Sequence, residues 1–303
     1  MARRRPLSRG CQVRLSEYLQ ARYLPERFLS DGWAEQLQVA VRLYEAYAGA
    51  SAARVGNLSE TAVIAWLRSY SGHVAARTVN SKRCALLALW RAAAADGLCR
   101  PPGLIPKMRE PLHLPEAWSL QEFERLLRAA SLEPGVIDGI DACRWWPALL
   151  LTLFDTAGRI GAIIRVRAAD LLLDQRALIL RAENQKQRRD QFCRLSDQTV
   201  AALAATGLPA ASVRALVFPW PWRRETLFAR LRKIARRANV RHGRGAGGLF
   251  HRIRRTSATL VYCNGGDAAK HLGHASAAVT MKHYIDPRMI ADGEVDRLPR
   301  PKF

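Results

Sequence analysis

The segment "FHRIRRTSATL", residues 250–260, sets His251 and Arg254 three positions apart at the start of an apolar run. Three residues is nearly one helical turn, so both side chains can share a helix face. Imidazole and guanidinium each bind anionic oxygen, and the guanidinium does so with paired donors. Arg159 lies in "DTAGRIGAIIRVRAADL" (155–171), just past a long apolar stretch. Further on come His274, in "HLGH" (271–274), and Tyr284, which ends "VTMKHY". Breaking a phosphodiester requires stabilisation of a pentacoordinate phosphorus with extra negative charge. Arg159 and Arg254 suit that task, with His251 and His274 adding donors. A phenol has a pKa of about 10, so Tyr284 is a weak nucleophile unless cations favour its phenolate or a histidine takes its proton. No carboxylate cluster has metal-site spacing, so this chemistry is expected to need no metal and no other cofactor.

Charge makes a phosphodiester the natural substrate. Lys plus Arg is 48 against 26 Asp plus Glu, a formal net charge of +22 in 303 residues. A chain this basic binds nucleic acid more readily than an acidic membrane or protein. Arginine exceeds lysine, which favours bidentate phosphate contacts, although a GC-rich genome also enriches arginine. The basic start, Met1 to Pro6, is followed by no apolar signal segment, and "WWPALLLTLF" (145–154) is too short to span a bilayer. The cysteines, at 11, 84, 99, 143, 193 and 263, have neither metal nor redox spacing. Reduced thiols in a cytoplasm are therefore expected.

Positioning the candidate residues calls for two domains. Residues 1–100 read as a helical domain, with apolar periodicity in "WAEQLQVAVRLYEAYAG", "LSETAVIAWLRSYSG" and "TVNSKRCALLALWRAAAADG", each closed by glycine. The last carries Lys82, Arg83 and Arg91 among its apolar positions. Residues 101–117 are proline-rich and read as a stiff linker, and 118–303 form a second domain with a C-terminal tail. That domain opens with a capping box, Ser119 to Glu122. Its apolar helix "WWPALLLTLFDTAG" is expected to be buried. "ALILRA" (177–182) and "QFCRL" (191–195) read as a strand pair around the loop "ENQKQRRD", which holds Lys186, Arg188 and Arg189. Residues 222–239 form an amphipathic helix, apolar at Leu227, Leu231, Ile234 and Ala238 and basic at Arg224, Arg230, Lys233, Arg236 and Arg237. The fold class is thus mainly α with a small antiparallel sheet.

In order along the chain, Arg159, Lys186, His251-x-x-Arg254, Leu272-Gly-His274 and Tyr284 resemble the motif set of the tyrosine recombinase family, the phage-integrase class of site-specific DNA recombinases. The resemblance covers most of the chain. Each motif alone is weak, since a helix-face His-x-x-Arg or a half-buried tyrosine is common; the ordered set at near-family spacing is specific. Two departures stand out. The acidic residue expected three after the first arginine is Ala162, and the Arg254–His274 segment is about one turn short, so that "CNGGD" must turn into a short helix.

The resemblance implies a helical core-binding domain followed by a catalytic domain, and an enzyme that cleaves and rejoins double-stranded DNA through a 3′-phosphotyrosine. It assigns protonation of the leaving 5′ oxygen to Lys186. It further implies a homotetramer on paired sites that exchanges strands through a Holliday junction, with an accessory directionality factor as an optional partner and with the tail, 285–303, docking on a neighbouring subunit. A bacterial or phage-encoded, nucleoid-associated protein is expected, with no separate arm-binding domain before residue 11. Lys82, Arg83, Arg91, Arg188, Arg189, Arg224, Lys233 and Arg237 are the expected DNA-binding residues. A non-cleaving DNA-binding regulator of the same fold and a type IB topoisomerase-like enzyme are the alternatives.

Overall fold

The computed structural model describes residues 12–49, 53–207, 212–240 and 248–290. The basic first ten residues and the tail beyond 290 lie outside this set. The chain divides into two compact units, Met1–Leu112 and His113–Phe303.

The first unit is helical: α1 (Leu15–Tyr18), which continues as a π-helical turn to Tyr23, then α2 (Asp31–Ala48), α3 (Glu60–Ser71) and α4 (Ala76–Ala95). Ser30 and Ser59 cap α2 and α3, their hydroxyls accepting the amides of Trp33 and Ala62. Each cap satisfies a donor that the first helical turn leaves unpaired. The apolar stripes converge on a core that includes Leu37, Tyr44, Trp66, Leu86 and Trp90. The proline-rich stretch divides between the units. Its first half is strapped to α4: Ile105 is buried and its carbonyl accepts Arg83 Nε at 2.9 Å, while Asn80 pairs with both the amide and the carbonyl of Met108. An extended chain has no internal partners for its backbone, and here side chains of α4 supply them.

The second unit begins with α5 (Leu120–Ala130), on which the Ser119–Glu122 capping box forms as expected. A short hairpin, β1 (Val136–Ile137) and β2 (Ile140–Asp141), leads into α6 (Ala142–Thr156). Trp145, Trp146, Leu149, Leu150 and Leu153 of α6 are fully buried, each burial contributing about 1.5–3 kcal/mol by area. After the short α7 (Ile160–Ile163), a three-stranded antiparallel sheet forms in the order β3 (Leu171–Leu172), β4 (Ala177–Leu180), β5 (Gln191–Arg194). Leu178 faces Cys193 across the β4–β5 pair and both point inward. Strand β3 escaped the sequence reading because two leucines carry no measurable alternation.

Helices α8 (Asp197–Ala204), α9 (Arg224–Arg237), α10 (Gly248–Cys263), α11 (Ala268–Leu272) and α12 (Ala277–His283) complete the described residues. Leu227, Leu231 and Ile234 bury the apolar face of α9 against the core. The short segment behind Arg254 resolves as expected. Gly265 takes a left-handed φ of 77°, and a Cβ at Gly266 would meet Val261 Cγ1 at 2.7 Å. The five-residue α11 follows, capped by Asp267 and stopped by Gly273 at φ 66°. Among the described residues, no helix is long and apolar enough to cross a membrane.

Candidate active site

Four elements deliver the site. Helix α10 places His251 and Arg254 on one face, as the three-residue spacing requires. Arg159 stands just before α7, in extended backbone with φ −73° and ψ 137°. Its entry is tight, because a Cβ on Gly158 would meet Ile163 Cδ1 at 2.6 Å. Gly273 ends α11 and turns His274 back toward α10, and Tyr284 closes α12. Ala157, Ala258, Ala268 and Leu272 form a small apolar cluster around Tyr284.

Arg254 is the hub. It is 3% exposed, and its guanidinium donates to the carbonyls of Ala157 and Leu272 and to His274 Nε2 at 3.1 Å. Because an arginine can only donate, His274 accepts on Nε2 and carries its proton on Nδ1, which then donates to Thr280 Oγ1 at 2.9 Å. Arg254 Nε is buried with no protein hydrogen-bond partner. The Tyr284 ring lies 5.1 Å from the His251 ring and 4.7 Å from that of His274, and the Arg254 guanidinium sits 5.4 Å from its centroid. Thus Arg254, His251, His274 and Tyr284 come together from α10, the turn after α11 and the end of α12.

The electrostatics are those of a cluster of cations and imidazoles. Burial, then Arg159, pushes Arg254 down to about 10. Burial, then the cations at 255, 254 and 159, pushes His251 down to about 4. Burial, then Arg254 and Arg159, does the same to His274, also about 4. Both imidazoles are therefore neutral at neutral pH. Each can accept a proton, and each becomes easier to protonate once an anion enters. Position 162, where the resemblance leads one to expect an acid, is a buried alanine.

Lys186 is exposed in the β4–β5 loop, and its neighbour Gln187 contacts Arg159 at 3.4 Å. Of the expected DNA-binding residues, Arg91, Arg188, Arg189, Arg224 and Lys233 are exposed. Lys82 is corrected: it is buried, and Nζ donates to Gln36 at 2.8 Å. Its place between apolar positions of α4 turns it inward, and burial lowers its pKa. Arg83 is likewise held by the Ile105 carbonyl, and Arg237 by Glu133 and the Ala129 carbonyl. Arg83 is half-buried, whereas Arg237 stays exposed as well as paired.

Periodicity alone did not expose the supporting residues. Ser257 Oγ donates to the Phe154 carbonyl at 2.5 Å, so His271 Nε2, 2.6 Å away, donates to Ser257. This chain ties α11 to α10 and α6 beside the Leu272 carbonyl that Arg254 uses. The signal was present as a run of hydroxyl residues after Arg254 and a second histidine in "HLGH", but only the fold pairs them.

A fold that gathers a tyrosine, two arginines and two histidines around one point defines a class of phosphotransfer enzymes on DNA, and comparisons with known proteins agree. Residues 121–289 match the model of the phage integrase family. The chain is 26% identical over 245 residues to the tyrosine recombinase XerD of Rhizobium meliloti (strain 1021), covering 74% of this chain and 76% of that protein. Its fold is similar to that of a lambda integrase dimer bound to a COC′ core site, with a TM-score of 0.70 at 16% identity, over 91% of this chain and 97% of the other. A lambda integrase tetramer bound to a Holliday junction gives a TM-score of 0.68 at 16% identity, over 93% and 79%. The chain belongs to the phage integrase family; it is a tyrosine recombinase, an enzyme that cleaves and rejoins DNA strands.

Proposed function

We propose that the chain is a site-specific recombinase in which Tyr284 attacks one phosphodiester of a double-stranded recombination site. The juxtaposition of the Tyr284 ring with His251, His274 and Arg254 carries this reading. Arg159 and Arg254 bind the nonbridging oxygens and stabilise the phosphorane, and Arg254 Nε is a buried donor available to such an oxygen. A neutral histidine takes the phenolic proton as the Tyr284 oxygen bonds to phosphorus. The bond to the 5′ oxygen breaks, and Lys186 supplies that oxygen's proton. The 3′-phosphotyrosine so formed keeps the ester count unchanged, so that attack by a 5′ hydroxyl reverses the step and releases the tyrosine. All of this is done by protein side chains.

The reading extends to the assembly. A homotetramer on two sites, exchanging strands through a Holliday junction, fits the similarity to the tetrameric lambda integrase assembly. The exposed Arg91, Arg188, Arg189, Arg224 and Lys233 would make phosphate contacts and confer steep salt dependence on binding. The site of action is the bacterial nucleoid, in a reducing cytoplasm, and an accessory directionality factor would choose between integration and excision.

Covalent trapping tests the reading. The protein and its Tyr284→Phe variant are incubated with nicked suicide duplexes tiled from DNA flanking the gene, and adducts are read on denaturing gels. An adduct that vanishes with Tyr284→Phe is the expected result. Salt-sensitive binding with no adduct on any duplex would favour a non-cleaving regulator, for which the alanine at 162 is the structural motive. Relaxation of supercoils without paired sites would favour topoisomerase action.

A further inference from the structure

Tyr284 is also held from behind, by groups that take no part in the chemistry above. Thr259 Oγ1 donates to the Tyr284 carbonyl at 3.1 Å and accepts the Asp286 amide at 3.1 Å. Arg255 Nε donates to the His283 carbonyl at 3.2 Å. Asp286 is 2% exposed. Its carboxylate accepts the Ala117 amide at 2.9 Å, the Arg288 amide at 3.1 Å, and Arg288 Nε and Nη2 at 2.8 and 2.6 Å. Arg288 Nη2 also donates to the Pro115 carbonyl at 3.3 Å.

The same entry segment, 115–118, is fastened to α10. The Trp118 amide donates to Thr256 Oγ1 at 2.9 Å, and Glu116 pairs with Arg252. Helix α10 therefore works on two faces. His251 and Arg254 face the reaction, while Arg252, Thr256 and Thr259 bind the stretches on either side of Asp286. Burial alone would raise the Asp286 carboxyl, but the bonds from Arg288 and from the Ala117 and Arg288 amides hold it below its ordinary value. A buried carboxylate costs several kcal/mol unless it is paired and hydrogen-bonded. Its hydrogen bonds tie the entry segment and Arg288 to a residue two positions after the nucleophile.

We propose that Asp286 is a positioning residue that locks the backbone of Tyr284 to the segment by which the chain enters the second unit, so that the placement of the nucleophile follows the conformation of residues 115–118. A 1 Å displacement of a reacting group can cost about 100-fold in rate, so the lock acts on cleavage without touching DNA.

The test breaks the lock from both ends in the full-length chain. Ala117→Pro deletes the amide donor, and Asp286→Asn keeps the shape but removes the charge. Hydrogen exchange of the DNA-free protein is followed by mass spectrometry, together with adduct formation and DNA affinity on the suicide duplexes. Ala117→Pro is expected to speed exchange at 283–288 about tenfold, the effect of losing one charge-assisted bond. Both variants should slow adduct formation by about 10- to 100-fold with DNA affinity unchanged. The double variant should be no slower than the slower single one, because both remove the same link. Faster exchange confined to 115–118, or rate losses that multiply in the double variant, would overturn the proposal. If Ala117→Pro does not fold, Asp286→Asn carries the same exchange measurement, now read at 115–118, where unchanged protection would overturn it. A wild-type chain that forms no adduct would count against cleavage, while the exchange data still decide the lock.

Discussion

Helices α4 and α10 look alike in sequence: each threads basic residues through an apolar pattern, and each buries some of them. In α4, Lys82 reaches Gln36 and Arg83 reaches the Ile105 carbonyl. These cations meet neutral acceptors, and the nearby charges of Glu35 and Arg42 act on Lys82 in opposite senses. In α10, Arg254 is buried beside other groups that repel or titrate, namely Arg159, His251, His274 and Tyr284. A fold gains nothing in stability from crowding like charges, so such a cluster marks a place where an anion is to be bound. Burial of a cation therefore does not tell a structural residue from a functional one; the company it keeps does.

The largest expected effect breaks this contrast on the α10 side. Arg254→Lys should slow cleavage by about 100- to 1000-fold, as for loss of one donor to a developing charge, because an ammonium cannot reproduce the paired donors. Its thermal midpoint should fall as well, because the Ala157 and Leu272 carbonyls lose guanidinium donors while the positive charge is kept. Calorimetry and single-turnover adduct assays together check both halves.

A smaller effect lies in the pH dependence of stability. Burial and neighbouring cations depress His251 and His274 to about 4, and burial lowers His271 as well. The unfolded chain, with ordinary histidine values near 6.5, then binds more protons than the folded one between these limits. Stability from these groups is present in full above the unfolded value and is lost as pH falls from about 6.5 toward 4. Urea midpoints should decline across that window, and His251→Gln with His274→Gln should flatten the decline. A midpoint independent of pH there would mean that the histidines are not buried as neutral imidazoles.

The smallest effect sharpens the α4 side. Lys82→Met removes a charge that burial disfavours, and exchanging a buried ion for an apolar group of similar volume is often neutral or stabilising. DNA affinity and its salt slope should be unchanged by filter binding, whereas Arg224→Ala should reduce the slope by about one contact's worth.

Much of the fold was legible. A capping box, glycine stops and apolar periodicity located α2 to α6, α9 and the β4–β5 hairpin, because those signals are local. The clustering of His251, Arg254, His274 and Tyr284 was legible too, because His251 and Arg254 share one helix turn and the other two stand in family order. What stayed hidden depended on partners far along the chain. Ser257 and His271 are meaningful only as a hydrogen-bonded pair reaching Phe154. Asp286 is unremarked until Ala117 is found against it, 169 residues away.

By itself, then, the sequence determined which residues can bind a phosphate and supply a nucleophile, since identity and spacing decide chemistry within one helical turn. Only the tertiary structure decided which basic side chains turn inward, which carbonyls aim Arg254, that Lys186 stays on the exposed loop, and that Tyr284 shares an anchor with the entry segment. Those choices are made by packing and by the need to satisfy every buried polar group, and neither operates along the chain.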